Sequence, residues 1–393
     1  MNYLDLFLKF FKLGASGWGG PVGRIALLHE ELIVKEKWLD EKKFGKVLAV
    51  YQALPGPEAT ELACYFGYSK LGRLGSIVSG LGFMLPGFIL IIILAHLYLI
   101  YGLKVPEANA ILYGIKPIVL ALILSAMYKL GRANITDYKL LGIGFISAVI
   151  FLFTKLDFLV ILTIAGIVTF LLYQNKIKEH KIKEKTGEHT KKNADKGTKK
   201  GLVVMVLPLL QIYSQLQPSQ IVLMFLFFLK AGLLTFGGAY SVVPFVQYGA
   251  VYEYHWITNE QYLDGLALGS IVPAPLVIIG TFVGYLTGGM IGAIIATIGI
   301  FLPAFAFTFI GYKHIEKAVE NKELQYFLAG LTASVIGLIL ATWVELLPIA
   351  INDVPTLALG LIAFYLIIKK FNFLAIILGS GIIGLVLKNF INV

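Results

Sequence analysis

Two apolar runs lying 218 positions apart each carry a lysine and then break at a paired glycine. The first reads Lys12-Leu13-Gly14-Ala15-Ser16-Gly17-Trp18-Gly19-Gly20-Pro21, the second Lys230-Ala231-Gly232-Leu233-Leu234-Thr235-Phe236-Gly237-Gly238-Ala239. Runs this apolar belong in lipid, which admits a broken helix only where the freed backbone faces protein or a water-filled cavity. Composition agrees: of 393 residues, 58% are hydrophobic and 14% charged, and mean hydropathy is +0.82. A soluble chain of this length could not hide so much apolar surface, so the expected class is an all-α polytopic membrane protein.

Apolar segments fall at 4–27 and 47–67 (both broken), 76–100, 110–129, 140–154 and 157–173. They recur at 221–248 and 262–285 (both broken), 290–312, 326–348, 355–369 and 373–391, after a short segment at 202–216. That makes about 12–13 membrane segments, the shorter ones thin or tilted. The first run holds Lys9 and Lys12 and follows no basic n-region, so it is expected to stay in the mature protein. Cys64 is the single cysteine, so neither a disulfide framework nor a metal cluster is expected. The formal net charge of +10 is concentrated in 174–200, with ten lysines against four acids. Such a run reads as a solvated cytoplasmic loop rather than a nucleic-acid patch.

The second set of segments repeats the first. An offset of 218 carries Phe10, Lys12, Gly14, Gly19, Gly20, Trp38, Ala49, Pro55 and Pro57 onto Phe228, Lys230, Gly232, Gly237, Gly238, Trp256, Ala267, Pro273 and Pro275. An offset of 217 then carries Gly67-Tyr68, Gly72, Gly75, Gly82 and Leu85-Pro86 onto Gly284-Tyr285, Gly289, Gly292, Gly299 and Leu302-Pro303. The reading is two homologous repeats, 1–173 and 218–393, joined by a linker at 174–217 that includes the 202–216 segment. Lysine and arginine collect in cytoplasmic loops. In the first half they lie at Lys70, Arg73, Lys129, Arg132 and Lys139 and in the linker, against Lys104 and Lys155 opposite. The loop around Lys35 to Lys46 is an exception, its five lysines balanced by five acids. In the second half the bias switches to Lys313, Lys317, Lys322, Lys369 and Lys370. The repeats are therefore expected to be inverted, with the N-terminus and linker cytoplasmic and the C-terminus outside.

A glycine pair lets backbone unwind and approach a ligand. The residues after each pair, with Pro21 at a first helical position, can restart as a half-helix. Its free N–H groups attract anions, and breaks repeated in two halves point to a transport site. The candidate anion-binding residues are Lys12, Gly19, Gly20, Pro21, Arg24, Lys230, Gly237, Gly238 and Ala239. Tight helix packing by small residues is the competing explanation of the glycines; snorkelling is that of Lys12. Second breaks fall at Pro55-Gly56-Pro57 and Pro273-Ala274-Pro275, where proline interrupts the hydrogen-bond ladder. Glu58 either complements a helix dipole there or, with Glu61, carries protons, because a membrane carboxylate is costly. His29, His96 and Glu345 read as interface or packing positions.

These motifs carry a resemblance. Gly19-Gly20-Pro21-Val22-Gly23-Arg24-Ile25-Ala26, His29-Glu30-Glu31-Leu32, Trp38, Leu54-Pro55-Gly56-Pro57-Glu58-Ala59 and Gly67-Tyr68 resemble the first half of the chromate ion transporter family. Phe236-Gly237-Gly238-Ala239-Tyr240-Ser241-Val242-Val243-Pro244, Trp256, Asp264-Gly265-Leu266-Ala267-Leu268 and Phe282-Val283-Gly284-Tyr285 resemble its second half. The resemblance implies a cytoplasmic-membrane antiporter that exports chromate, with sulfate as a related substrate, driven by the proton motive force and conferring chromate resistance. One departure is Ser270-Ile271-Val272-Pro273-Ala274-Pro275, where the family reads Glu-Thr-Thr-Pro-Gly-Pro. A tetrahedral dianion suits converging backbone donors and nearby positive charge. Nothing in the residues themselves separates chromate from sulfate, or export from import or an uncoupled anion channel. No nucleophile–base spacing or phosphate loop supports an enzyme. No cofactor, metal or nucleic acid is expected; the bilayer and a small oxyanion are the expected partners, with a homodimer left open.

Overall fold

The computed structural model describes residues 1–18, 20–53, 56–102, 105–173, 219–235, 239–310 and 322–390. The linker, the 202–216 segment, Gly19, Pro55, Gly237 and Gly238 lie outside the described residues. The described elements are helical: α1 Tyr3–Ser16, α2 Gly20–Leu28, a π turn His29–Lys35, α3 Glu41–Ala53, α4 Glu58–Leu97, a π turn Tyr98–Gly102, α5 Pro106–Asn134, α6 Tyr138–Thr154 and α7 Phe158–Leu172. The second half has α8 Gln220–Leu233, α9 Val242–Gln247, a π turn Tyr248–Glu253, α10 Asn259–Ile271, a 3-10 turn Leu276–Ile278, α11 Ile279–Ile310, α12 Lys322–Ala350, α13 Val354–Ile368 and α14 Phe373–Phe390. Polar caps mark the starts. Asn2 and Asp5 form a capping box on α1, Thr258 and Gln261 on α10, and Asp353 with Thr356 on α13. Four stretches are long and apolar enough to cross a bilayer: 58–102, 106–134, 276–309 and 325–350. With the shorter apolar helices α6, α7, α8, α13 and α14, this is a multi-pass membrane protein.

Two of the four long stretches fold back on themselves. The backbone leaves helical geometry at Leu71 (φ −129°) and Gly72 (φ 67°) in α4, and at Gly288 and Gly289 (φ 59°) in α11. Glycine tolerates the left-handed conformation that such a bend needs. The arms then pack antiparallel: Ser79 Oγ donates to Ala63 O at 2.8 Å, and Thr281 Oγ1 meets Thr297 Oγ1 at 2.7 Å. The arm from Glu58 to Leu71 is about 21 Å long at 1.5 Å per residue, short of a bilayer core of about 30 Å. It turns back because it is the returning limb of a re-entrant pair. Phe44 of α3 stacks on Phe66 at 6.4 Å, so α3 enters and α4 returns to the same face. The α1–α2 pair does likewise, with Phe10 against Trp38 at 6.1 Å. In the second half Phe227 of α8 meets Trp256 at 5.4 Å. The broken segments are thus helix–break–helix hairpins, in keeping with the broken or re-entrant helices expected from the sequence.

Arg73 lies over the Phe309 ring at 5.1 Å, while His96 Nδ1 meets Tyr285 OH at 2.9 Å. The crossing arms of α4 and α11 therefore run antiparallel, and the bend of each sits beside the far end of the other. Trp38, under Lys70 Nζ at 4.7 Å, marks the α4-bend face. Trp256 marks the α11-bend face. The crossing helices are exchanged between halves: α6 and α7 pack on α12, and α13 and α14 on α5. Glycines permit both crossings. A methyl added at Gly337 would meet Gly144 O at 1.9 Å, and one at Gly114 would meet Ser380 O at 2.0 Å. Gly337→Val should cost on the order of 1–3 kcal/mol or more and lower the melting temperature measured by size-exclusion after heating. Gly131→Ala, whose methyl meets nothing within 4 Å, should leave it unchanged.

Candidate functional site

Three of the four hairpin tips come together in the interior. Gly56, after α3, donates its N–H to Thr235 O at 2.7 Å, tying the first half's proline break to the residues after α8. A methyl at Gly20 would meet the Tyr240 hydroxyl at 3.4 Å, so the two glycine breaks are neighbours. Gly87 of α4 approaches the second proline break, where a methyl would meet Ala274 Cβ at 2.5 Å. Gly20 has φ 71° and Gly56 φ 152°, conformations that glycine alone adopts without strain.

Arg24 is the charged group at this centre. It lies one turn beyond Gly20 on α2 and is fully buried. Its Cζ sits 4.2 Å from the Phe83 ring centroid and its Nη2 donates to Phe83 O at 3.4 Å. Nε and Nη1 have no hydrogen-bond partner among the described residues, and no carboxylate pairs with it there. A cation–π contact contributes about 2 kcal/mol at best. A guanidinium placed mid-membrane costs about 2.5–3.5 kcal/mol or more. The unpaired Nε and Nη1 lie on different edges of the guanidinium, so each is left to donate to an oxyanion oxygen separately rather than as one bidentate fork.

Two carboxylates stand nearby. Glu58 opens α4 and is 8% exposed; Glu61 is fully buried. Neither Glu61 oxygen has a hydrogen-bond partner among the described residues. Gly56 makes room for it, since a methyl there would meet Glu61 Oε1 at 2.5 Å. Pro57 is the N-cap of α4, and Pro273, Ala274 and Pro275 are buried between α10 and the 3-10 turn. Ala239 is buried with φ 70°; Pro21 lies in α2. The two lysines sit differently. Lys12 is exposed on α1, and Lys230 is half-buried within electrostatic reach of Glu253.

The restart after the second glycine break is shorter than the first. α9 has six residues before its π turn, because Val242-Val243-Pro244 holds β-branched residues and a proline, poor helix formers. Sequence reasoning also passed over two buried charge clusters. Glu345 forms an ion pair with Lys155 and accepts from Tyr252 OH at 2.8 Å, so it is more than a packing position. Lys116 pairs with buried Asp264 at 3.0 Å. A charged residue inside an apolar span was the signal for both.

Comparisons with known proteins fit this architecture. A family model described as chromate transporter matches residues 4–170 and 222–385. A chromate transport protein of Pseudomonas aeruginosa is 40% identical, covering 98% of this chain and 92% of that protein. One from Cupriavidus metallidurans is 31% identical over 97% of this chain and 92% of its own length. A probable chromate transport protein of Synechococcus elongatus is 30% identical, over 90% and 87%. No solved structure matches. Matched over nearly its whole length by that family model and 40% identical to a chromate transport protein over 98% of its residues, this chain belongs to the chromate transporter family.

Proposed function

We propose that this protein exports chromate across the cytoplasmic membrane in exchange for protons, with sulfate, of similar shape and charge, as a second substrate. The observation that carries the reading is Arg24: a buried guanidinium with two unpartnered donors among the described residues, one turn from Gly20, which itself approaches Tyr240 of the second half. A dianion there would accept from the guanidinium, offsetting a burial that the described protein contacts leave uncompensated. Lys12 and Lys230 act at the approaches rather than as ligands. Glu58 and Glu61 are the proton carriers, because coupling needs a group that can gain and lose charge beside the anion path. The names of the relatives support chromate as the cargo. The lysine and arginine bias supports a cytoplasmic N-terminus and 174–200 linker, with the Trp38 face inside. Purified protein in liposomes, given chromate, sulfate or molybdate under imposed pH gradients, should move chromate against its gradient when protons flow the other way. Absence of any oxyanion movement under every gradient would end this reading.

A further inference from the structure

The hairpins of the two halves are not equally seated. In the second half α9 and α10 pack on α12, and α10 packs on α5 and α4 as well. In the first half α2 and α3 find their extensive neighbours only in α4 and the adjoining π turn, among the described residues. A cavity of about 450 Å³, lined by Met1, Glu36, Trp38, Lys70 and Leu71, opens on the Trp38 face. One face is sealed by inter-half contacts and the other is looser.

The seal has a specific chemistry. Lys116 Nζ of α5 lies 3.0 Å from Asp264 Oδ1 and 3.3 Å from Glu260 Oε1, both on α10. Tyr98 OH, at the end of α4, donates to Asp264 Oδ2 at 2.9 Å. Asp264 is fully buried. One ion pair and one phenol hydrogen bond from first-half elements therefore fasten a second-half helix. Position 46, which corresponds to Asp264 at the offset of 218, is Lys46, and it is exposed. On the other side Tyr51 of α3 meets Thr308 of α11 at 3.0 Å, so there the halves are joined by a neutral hydrogen bond, and the charged fastening is at one face among the described residues. α10 is bounded by a non-helical turn at 254–258 before it and the Val272–Pro275 break after it.

We propose that Lys116 and Asp264, braced by Tyr98, are the gate of the Trp256 face: the pair holds α10 against α5 and must part for the anion site to open there. Partnered charges suit a gate. Together they are tolerated in a low-dielectric interior, and once water enters each is solvated, so the opened state keeps little penalty. The freed Lys116 would then present a cation on the anion's route. This rests on the proton-exchange reading above, but its test needs no substrate.

In a Cys64→Ser background, which removes the only cysteine, Ala267→Cys places a thiol on α10 one turn from Asp264, at a fully buried position. A membrane-impermeant maleimide is applied to vesicles of each orientation. With the pair intact, labelling should be slow from both sides. Asp264→Asn or Lys116→Gln should speed it at least about tenfold (~1.4 kcal/mol) from one side only, and the exchange Lys116→Asp with Asp264→Lys should bring it back toward the parent rate. If Asp264→Asn yields no folded protein, Lys116→Arg and Tyr98→Phe carry the test, the first keeping the slow rate and the second raising it. Unchanged labelling in the single variants, equal gains from both sides, or no recovery on exchange would overturn the gate. Any of these would leave the chromate reading standing, and a failure of chromate transport would leave the labelling result intact.

Discussion

Arg24→Ala should reduce proton-driven chromate transport at least about 100-fold, since removing one partner of a buried charged contact costs about 2–5 kcal/mol. The variant should nonetheless fold. Arg24 has no ion-pair partner among the described residues, so truncation removes an uncompensated buried charge rather than stranding another one. Melting in detergent should be equal to the parent's or higher. Arg24→Lys keeps the charge but loses the planar fork, so transport should recover only in part, with weaker apparent affinity for chromate. Transport by Arg24→Ala at the parent's rate, measured in liposomes at equal protein, would remove Arg24 from the site. A variant lost to misfolding would show instead as a collapsed melting transition, which the charge argument does not predict.

The second large effect concerns coupling. A gradient of one pH unit supplies about 1.4 kcal/mol per proton carried, about tenfold in the accumulation ratio of a coupled anion. Glu61→Gln should abolish that accumulation while chromate still exchanges across the membrane when no gradient is applied. Glutamine fills the same space beside Gly56 but cannot pick up or release a proton. Glu58→Gln should weaken coupling less, because Glu58 opens a helix, where a carboxylate also complements the dipole. A Glu61→Gln protein that still concentrates chromate tenfold per pH unit would place the proton pathway elsewhere.

Much of the architecture was legible in the residues. Glycine and proline punctuation at Gly17 to Gly20, Pro55 to Pro57 and Pro273 to Pro275 marked where helices end, and the structure ends them there: α1 at Ser16, α3 at Ala53 and α10 at Ile271. What punctuation does not reveal is direction. A 14-residue limb such as Glu58–Leu71 has the composition of half a span, and only its contacts with α3 show that it returns to the face it left. Gly72 and Gly289 carried the missing signal, since each sits 217 positions from the other and takes a left-handed φ. The start of α3 at Glu41 also escaped notice, because Lys42, Lys43 and Lys46 read as a loop and are instead the exposed face of a helix.

The site was legible in part for a related reason. Arg24 and Glu61 stood out as charges in apolar surroundings, but sequence could not say that, among the described residues, one lacks a carboxylate partner and the other a donor. That depends on what the fold brings near. Lys116 and Asp264 are separated by almost half the chain, so their pairing appears only once α5 and α10 are side by side. Lys12 fits the snorkelling alternative. It shares the spacing of Lys230 exactly in sequence, yet it points outward from α1, because a helix near the surface offers lysine a route to water that an interior one does not.

Chromium's own anomalous X-ray scattering offers the most direct measurement, in crystals of the whole protein grown with chromate. A single strong peak should lie within hydrogen-bond reach of the Arg24 guanidinium, between Gly20 and Tyr240. A peak confined to the cavity at Trp38 and Lys70, with none beside Arg24, would contradict the claim that hairpin tips from both halves converge on one anion.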